Sequence, residues 1–288
     1  MILTPECLVC SQRVALEAAQ YVTRNDAALK MVLLKMMDVL QDVVSKNVDS
    51  FLVGLKMMEI IEEVTGSADP YRDFRGRSTQ AAEQLVSIIR ETVEKGPDPL
   101  WDACRAAVTG NLMDVIAGVA PELAEVNSFL EIPFAVNHFD EFRSILQRSE
   151  KITYLSDNAG EVFFDRILID RIRIEKGDIP IDYFIKGFPF LSDAQYEDVL
   201  PALIDQVAAI RIVPFIKPVV MEQAYIHKMY AEFLDAARNA DLIIIKGQAN
   251  YELFAPLEIG AFYLFVHKCP VIAQTEGANI GDAVFFKK

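Results

Sequence analysis

Beyond Pro133 to Phe142 the chain changes character, and short apolar runs begin to alternate with stretches of helical periodicity. Runs at Ile152–Leu155, Ile181–Ile185, Ile210–Val213, Asp241–Ile245 and Pro270–Ala273 read as strands, rich in β-branched and aromatic residues. Helical spacing fills the intervals at Val162–Ile174, Tyr196–Ala209 and Met221–Asn239. Strands that alternate with helices in this way form βαβ units, and their sheet is mainly parallel. Upstream, residues 11 to about 130 read as nearly all helix, with apolar residues three and four apart and breakers at Gly66–Pro70 and Gly96–Pro99. The expected fold class is therefore α+β: a multihelical part, residues 1–137, followed by an α/β part, residues 138–288. Helices of either half are free to pack across that boundary.

Composition narrows the function classes. Hydrophobic residues at 52% and charged residues at 24% describe a globular chain with little room for long disorder. The longest apolar runs, such as Leu242–Ile245, are too short to span a bilayer, and no signal-peptide pattern opens the chain. A cytoplasmic protein without a membrane partner is expected. A net charge of −14 argues against a nucleic-acid surface, which needs clustered Lys and Arg. It is compatible with a small phosphorylated metabolite, because a metal and one or two lysines set the field inside a pocket.

The stretch Lys151–Asp170 carries the strongest chemical signal. Its apolar run ends abruptly in Asp157-Asn158-Ala159-Gly160-Glu161, after which helical spacing begins. Strand, turn and helix place Asp157, Asn158 and Glu161 at the carboxyl end of a strand, where open α/β sheets bind their ligands. Carboxylates and an amide gathered there are costly to bury unpaired. A hard divalent cation offsets that cost, because it prefers oxygen ligands. The alternative is an Asp-Asn turn that caps the helix and does no chemistry.

Other strand ends are polar as well. Ile181–Ile185 runs into Lys186-Gly187 and on to Ser192-Asp193, and Asp241–Ile245 runs into Lys246-Gly247-Gln248-Ala249-Asn250-Tyr251-Glu252. In a parallel sheet these ends share one edge, so Asp157, Asn158, Asp193, Lys246 and Asn250 are expected in one crevice. Glycine after each lysine, at Gly187 and Gly247, lets backbone N–H groups approach an anion. The set suits hydrolysis of a phosphate ester: a divalent ion polarises the phosphoryl group and lowers the pKa of water, Lys246 neutralises oxygens, and Glu161 or Asp193 orients or deprotonates the nucleophile.

Four smaller features complete the reading. Cys7-Leu8-Val9-Cys10 has zinc-knuckle or redox spacing without a second pair, so buried thiols are the simpler account. The methionines at 31, 36, 37, 57 and 58 read as core filler. Asp69-Pro70-Tyr71 reads as a helix connection. Gly110-Asn111-Leu112-Met113-Asp114 interrupts a helical run, which leaves either a polar task for Asn111 and Asp114 or a surface turn.

Taken together, these motifs resemble the metal-dependent damage-control phosphatases, long catalogued as domain of unknown function 89. Asp157-Asn158-Ala159-Gly160-Glu161, Pro189-Phe190-Leu191-Ser192-Asp193-Ala194 and Lys246-Gly247-Gln248-Ala249-Asn250-Tyr251-Glu252 carry the likeness. The Cys7/Cys10 pair, Asp69-Pro70-Tyr71, Asn111/Asp114 and Lys268-Cys269-Pro270-Val271-Ile272-Ala273 fit the small prokaryotic branch. The resemblance implies a multihelical domain beside a three-layer α/β/α domain, and a phosphatase acting on unwanted phosphometabolites. It implies metal ligation by Asp157, Asn158 and Asp193, with Mg²⁺, Mn²⁺, Co²⁺ and Ni²⁺ all suited to such a site. It makes Lys246 the phosphate contact, with Glu161, Asn111 and Asp114 lining the pocket, and Lys186, Gly247 and Asn250 beside them. The chain departs from the family pattern at Ser192, where Asn is usual, and at Gln195, near a usual Thr.

Rival functions are an S-adenosylmethionine-dependent methyltransferase and a non-catalytic metal- or metabolite-binding protein. The turn after the first long strand carries one glycine and two carboxylates, unlike a glycine-rich nucleotide turn. Ala159 stands two residues after Asp157, where an aspartyl-phosphate mechanism places a second Asp.

Overall fold

The computed structural model describes residues 3–44, 46, 48–110, 130–217 and 223–288. Asn111 and Asp114 lie outside the described residues. Helices α1 (Pro5–Val22), α2 (Asp26–Val43), α3 (Ser50–Thr65), α4 (Arg72–Lys95) and α5 (Pro99–Thr109) come first. Their starts follow local chemistry: Asn25, Asp49 and Asp98 cap α2, α3 and α5 through their side chains. The Asp69-Pro70 turn separates α3 from α4, and Gly66 closes α3 at a φ of 77°.

Seven strands then form one sheet among the described residues. They are β1 (Phe134–Asn137), β2 (Ile152–Leu155), β3 (Ile181–Lys186), β4 (Ala209–Val213), β5 (Leu242–Lys246), β6 (Phe262–Val266) and β7 (Ala283–Lys287). Their order is β1-β7-β6-β5-β2-β3-β4, parallel throughout except for the β6/β7 pair. Intervening helices are α6 (Phe139–Arg148), α7 (Val162–Lys176), α8 (Tyr196–Val199), α9 (Gln223–Met229), α10 (Ala231–Arg238), α11 (Gln248–Phe254) and α12 (Pro270–Thr275).

Three expectations require correction. Pro270–Ala273 is the start of helix α12: Pro270 sits at its first turn behind Cys269, and so short an apolar run has no resolvable period. The strand of that region is β6, just upstream and fully buried. The helix expected over Tyr196–Ala209 stops at Val199, before Pro201, and gives way to turns and a 3₁₀ segment at Ile204–Gln206. The helix expected over Met221–Asn239 is divided at Tyr230 into α9 and α10. Strands β1, β6 and β7 match no expected run, and β1 precedes the expected boundary at residues 137/138.

Side-chain alternation along the strands divides the interior into two cores. Ile152, Tyr154, Tyr183, Ile185, Leu242 and Ile244 face α4, α5, α6 and α7. Leu155, Phe184, Ile243, Ile245, Tyr263 and Phe265 face α1, α2, α3 and the helices α9 to α12. Helices of the first half thus cover both faces of the sheet.

They also grip the irregular segment that follows β3. The ring of Phe190 packs on Phe51 of α3 at 4.6 Å, over Gly54, where a Cβ would come within 2.9 Å of the ring. Arg75 of α4, 1% exposed, donates to both oxygens of Asp69 at 2.8 Å and to Asp198 at 2.9 Å. Asp198 in turn accepts from the backbone N–H of Gln195 at 2.9 Å. Asp69-Pro70 is therefore more than a connection, because its carboxylate completes a fork on a buried guanidinium.

Removing that cation leaves carboxylates without their partner in a largely buried place. Arg75→Ala is expected to lower unfolding free energy by about 3–5 kcal/mol, measured by urea denaturation. A variant as stable as the wild type would refute the account.

Candidate active site

The sheet brings together the carboxyl ends of β5, β2 and β3, which are neighbours in space though not in sequence. After β2, Ser156 extends the ladder, its N–H and hydroxyl both donating to the Phe184 carbonyl at 3.0 and 2.9 Å. Asp157 follows, pressed against the backbone of Gly247 at the end of β5. A Cβ at Gly247 would fall 2.1 Å from the Asp157 carboxyl carbon, and its φ is +84°, so glycine is required there twice over. The segment after β3 returns with Leu191 in the left-handed region, φ 50°, and lays Asp193 opposite Asn158 in a short antiparallel bridge. Ala194 N–H donates to the Asp157 carbonyl at 2.8 Å and Ala159 N–H to the Ser192 carbonyl at 3.0 Å.

Side chains then interlock. The Asn158 amide nitrogen donates to Asp157 at 2.9 Å and to Glu161 at 2.6 Å, while its oxygen accepts from the Ser192 hydroxyl at 2.8 Å. Lys186 pairs with Asp193 and lies 3.5 Å from the Asn250 oxygen. Asn250 is itself pinned to the carbonyls of Ser156 and Lys246 at 3.0 and 2.8 Å. Lys246 donates to Glu161 and to Asp165 of α7, both at 2.8 Å. Asp165 also accepts from the hydroxyls of Tyr154 and Tyr183, both at 2.7 Å.

Electrostatics follows from this burial. Burial first, then Glu161 and Asp193, push the Asp157 carboxyl well above the ordinary carboxylate range. Burial raises Asp193 and Asp165 also, opposed by Lys186 and by Lys246 respectively. Burial alone would lower both lysines, yet Asp193 holds Lys186, and Asp165 and Glu161 hold Lys246, protonated above the ordinary value.

The structure gathers Asp157, Asn158, Glu161, Lys186, Asp193, Lys246, Gly247 and Asn250 at one place. Lys246, expected at phosphate, has its ammonium fully buried between Glu161 and Asp165. Both Glu161 oxygens are engaged as well, one by Asn158 and one by Lys246. Two groups escaped the sequence reading. Asp165 looked like a polar position on a helix, and Lys268, exposed beyond β6, was one letter of a motif although its charge acts on Asp157. Cys7 and Cys10 are free thiols on α1, and Cys10 is exposed.

The donor set is suited to a hard cation. Four buried carboxylates, Asp157, Glu161, Asp165 and Asp193, are matched here by two buried lysines. Among the described residues, no three His, Cys, Asp or Glu side chains are grouped so as to hold a metal ion by themselves. Asp157, Asp193 and the Asn158 amide could hold one through oxygen atoms alone.

Fold and site together define an α/β protein with a buried anionic centre at the carboxyl edge of a mainly parallel sheet. The chain belongs to the damage-control phosphatase ARMT1-like domain family, whose model matches residues 3–284. It is 29% identical to the uncharacterized protein MJ0202 of Methanocaldococcus jannaschii, over 99% of this chain and 95% of that protein. It is 27% identical to a damage-control phosphatase of Archaeoglobus fulgidus, over 99% and 98% of the two chains. The crystal structure of a DUF89 family protein, PH1575 of Pyrococcus horikoshii, shares the fold with a TM-score of 0.86 at 24% identity, covering 100% of this chain and 99% of that one.

Because the folded state raises the Asp157 pKa, that carboxyl favours folding when protonated. Its contribution is full below the ordinary carboxylate range and is lost as pH rises through the raised value. In metal-free protein, Asp157→Asn is therefore expected to raise Tm relative to wild type at about pH 8, with the gap closing toward about pH 4. Thermal scans across pH check the sign, and a wild type more stable than the variant at alkaline pH contradicts it.

Proposed function

We propose that the protein is a metal-dependent phosphatase hydrolysing phosphate esters of small metabolites, with Asp157, Asn158 and Asp193 holding a divalent cation. The observation that carries this reading is the buried Asp157/Asp193 pair, bridged through Asn158, within a cluster whose carboxylates outnumber its lysines. Mg²⁺, Mn²⁺, Co²⁺ and Ni²⁺ are all compatible with these donors. When bound, such an ion supplies positive charge at the phosphoryl group and favours ionisation of the attacking water.

The chain's own residues supply the rest. Lys186, beside Asp193 and the Asn250 amide, would neutralise non-bridging phosphate oxygens. Lys268, exposed at the end of the adjacent strand, adds a second positive charge from the solvent side. The glycine at 247 keeps backbone close to Asp157 and leaves no side chain in the way. Lys246 and Glu161 act behind this layer, since each already satisfies the other. The names of the Archaeoglobus and Pyrococcus relatives, both damage-control phosphatases, support the same reaction class.

Protein stripped with chelator is expected to release no phosphate from p-nitrophenyl phosphate or sugar phosphates, and to recover on addition of one of the four ions. Asp157→Ala and Asp193→Ala should each lower kcat/KM by about 10³-fold, the scale lost with a main electrostatic stabiliser. Turnover that needs no metal, or that survives Asp157→Ala, would overturn the proposal.

A further inference from the structure

Behind the cation-ligand residues lies a second charge cluster that the reaction as proposed does not touch. Glu161, Asp165 and Lys246 are each 0% exposed, in the layer between helix α7 and the sheet. Adjacent strands supply the sheet side: Lys246 from β5, Tyr154 from β2 and Tyr183 from β3, the tyrosines being register partners whose rings stack at 5.1 Å. Helix α7 supplies Asp165, four residues after Glu161. Every link is a hydrogen bond of 2.6 to 2.8 Å, from the tyrosine hydroxyls to Asp165, from Lys246 to Asp165 and Glu161, and from Asn158 to Glu161.

Stability alone does not explain such a cluster. Apolar residues of equal volume stabilise an interface of this kind as well or better than buried ions do. What the cluster accomplishes is orientation. An Asn side chain presents an oxygen on one side and a nitrogen on the other, and only the oxygen ligates a cation. Here Glu161 takes the Asn158 nitrogen, and Asp157 takes it too, which turns the oxygen toward the Ser192 hydroxyl, beside the residue whose backbone bridges to Asn158. Glu161 can do this only while it is held as an acceptor, and Lys246 holds it. Lys246 in turn is fixed by Asp165, which also accepts from the two tyrosine hydroxyls.

We infer that Asp165, buttressed by Tyr154 and Tyr183, is a positioning residue: through Lys246 and Glu161 it fixes the Asn158 amide with its oxygen toward the cation site. The inference rests on the proposed ligand role of Asn158. It also assigns Lys246 to this outer layer and leaves phosphate to other cations. Outer-layer partners of this kind influence metal affinity by about 10–100-fold.

The test is Mn²⁺ binding by titration calorimetry on chelator-stripped protein, with Tm recorded for each metal-free variant. Asp165→Asn is expected to weaken Mn²⁺ binding by about 10–100-fold while KM for p-nitrophenyl phosphate at saturating Mn²⁺ stays near wild type. Should that variant fail to fold, Tyr154→Phe combined with Tyr183→Phe removes two oxygens from a stacked pair and is expected to weaken Mn²⁺ binding about tenfold. A folded variant with lowered Tm and unchanged Mn²⁺ affinity makes the cluster purely structural and overturns the inference. Wild-type protein that binds no Mn²⁺ overturns the ligand assignment and the inference with it. Mn²⁺ binding that is lost in Asp165→Asn, in a protein without phosphatase turnover, upholds the positioning and overturns the phosphatase reading.

Discussion

A carboxylate taken out of water must be given a positive partner or a set of donors, and the carboxyl edge of this sheet is organised by that demand. Asp157 and Asp193 are buried side by side, and Glu161 and Asp165 are buried a layer below. Compensation comes from two lysines that strand alternation sends to opposite faces. Lys246 lies in phase with Ile244 and Leu242, toward α7, and Lys186 lies in phase with Phe184, toward α1, α2 and α3. The sheet thus separates the Lys186–Asp193 pair from the Lys246, Glu161 and Asp165 cluster.

The first half of the chain gains a function from this arrangement. Asp193 is carried by an irregular segment, and irregular backbone keeps one conformation only where its surroundings over-determine it. Phe51 and Gly54 close on Phe190 from α3, and Arg75 reaches from α4 through Asp198 to the backbone of Gln195. The segment is clamped on both sides of Asp193. Helices that look like a separate module in sequence are, in space, part of the mounting of a site residue.

Much of this was legible in the sequence, unevenly. Strands β2, β3 and β5 were read closely because their runs of Ile, Tyr and Phe end in Gly, Asp or Lys, and those same endings marked Asp157, Asn158, Asp193 and Lys246. Pro270–Ala273 misled because an apolar run of that length fits strand and helix equally, and Pro at a first helical turn is as natural as Pro at a strand start. The pairing of Lys246 with Asp165 was not legible at all. Residue type announces a charge, whereas the partner that charge faces depends on register between β5, β2 and α7. No spacing within one segment encodes that register, and Tyr154 and Tyr183 become polar partners only when the strands are aligned.

The two departures from the family pattern can be followed through the same geometry. Ser192 is short, yet its hydroxyl reaches the Asn158 oxygen at 2.8 Å while its carbonyl accepts from Ala159. Gln195 is long, and it spends its amide on the carbonyl of Phe188 at 2.9 Å, forming a capping box with Asp198 at the start of α8. Each residue pins the segment by its own means, one from the Asn158 side and one from the Arg75 side. Asp193 sits between the two pins and stays paired with Asn158. The departures therefore change how the segment is held, through the Asn158 oxygen on one side and the Phe188 carbonyl on the other, and they leave the backbone bridge between Asn158 and Asp193 in place.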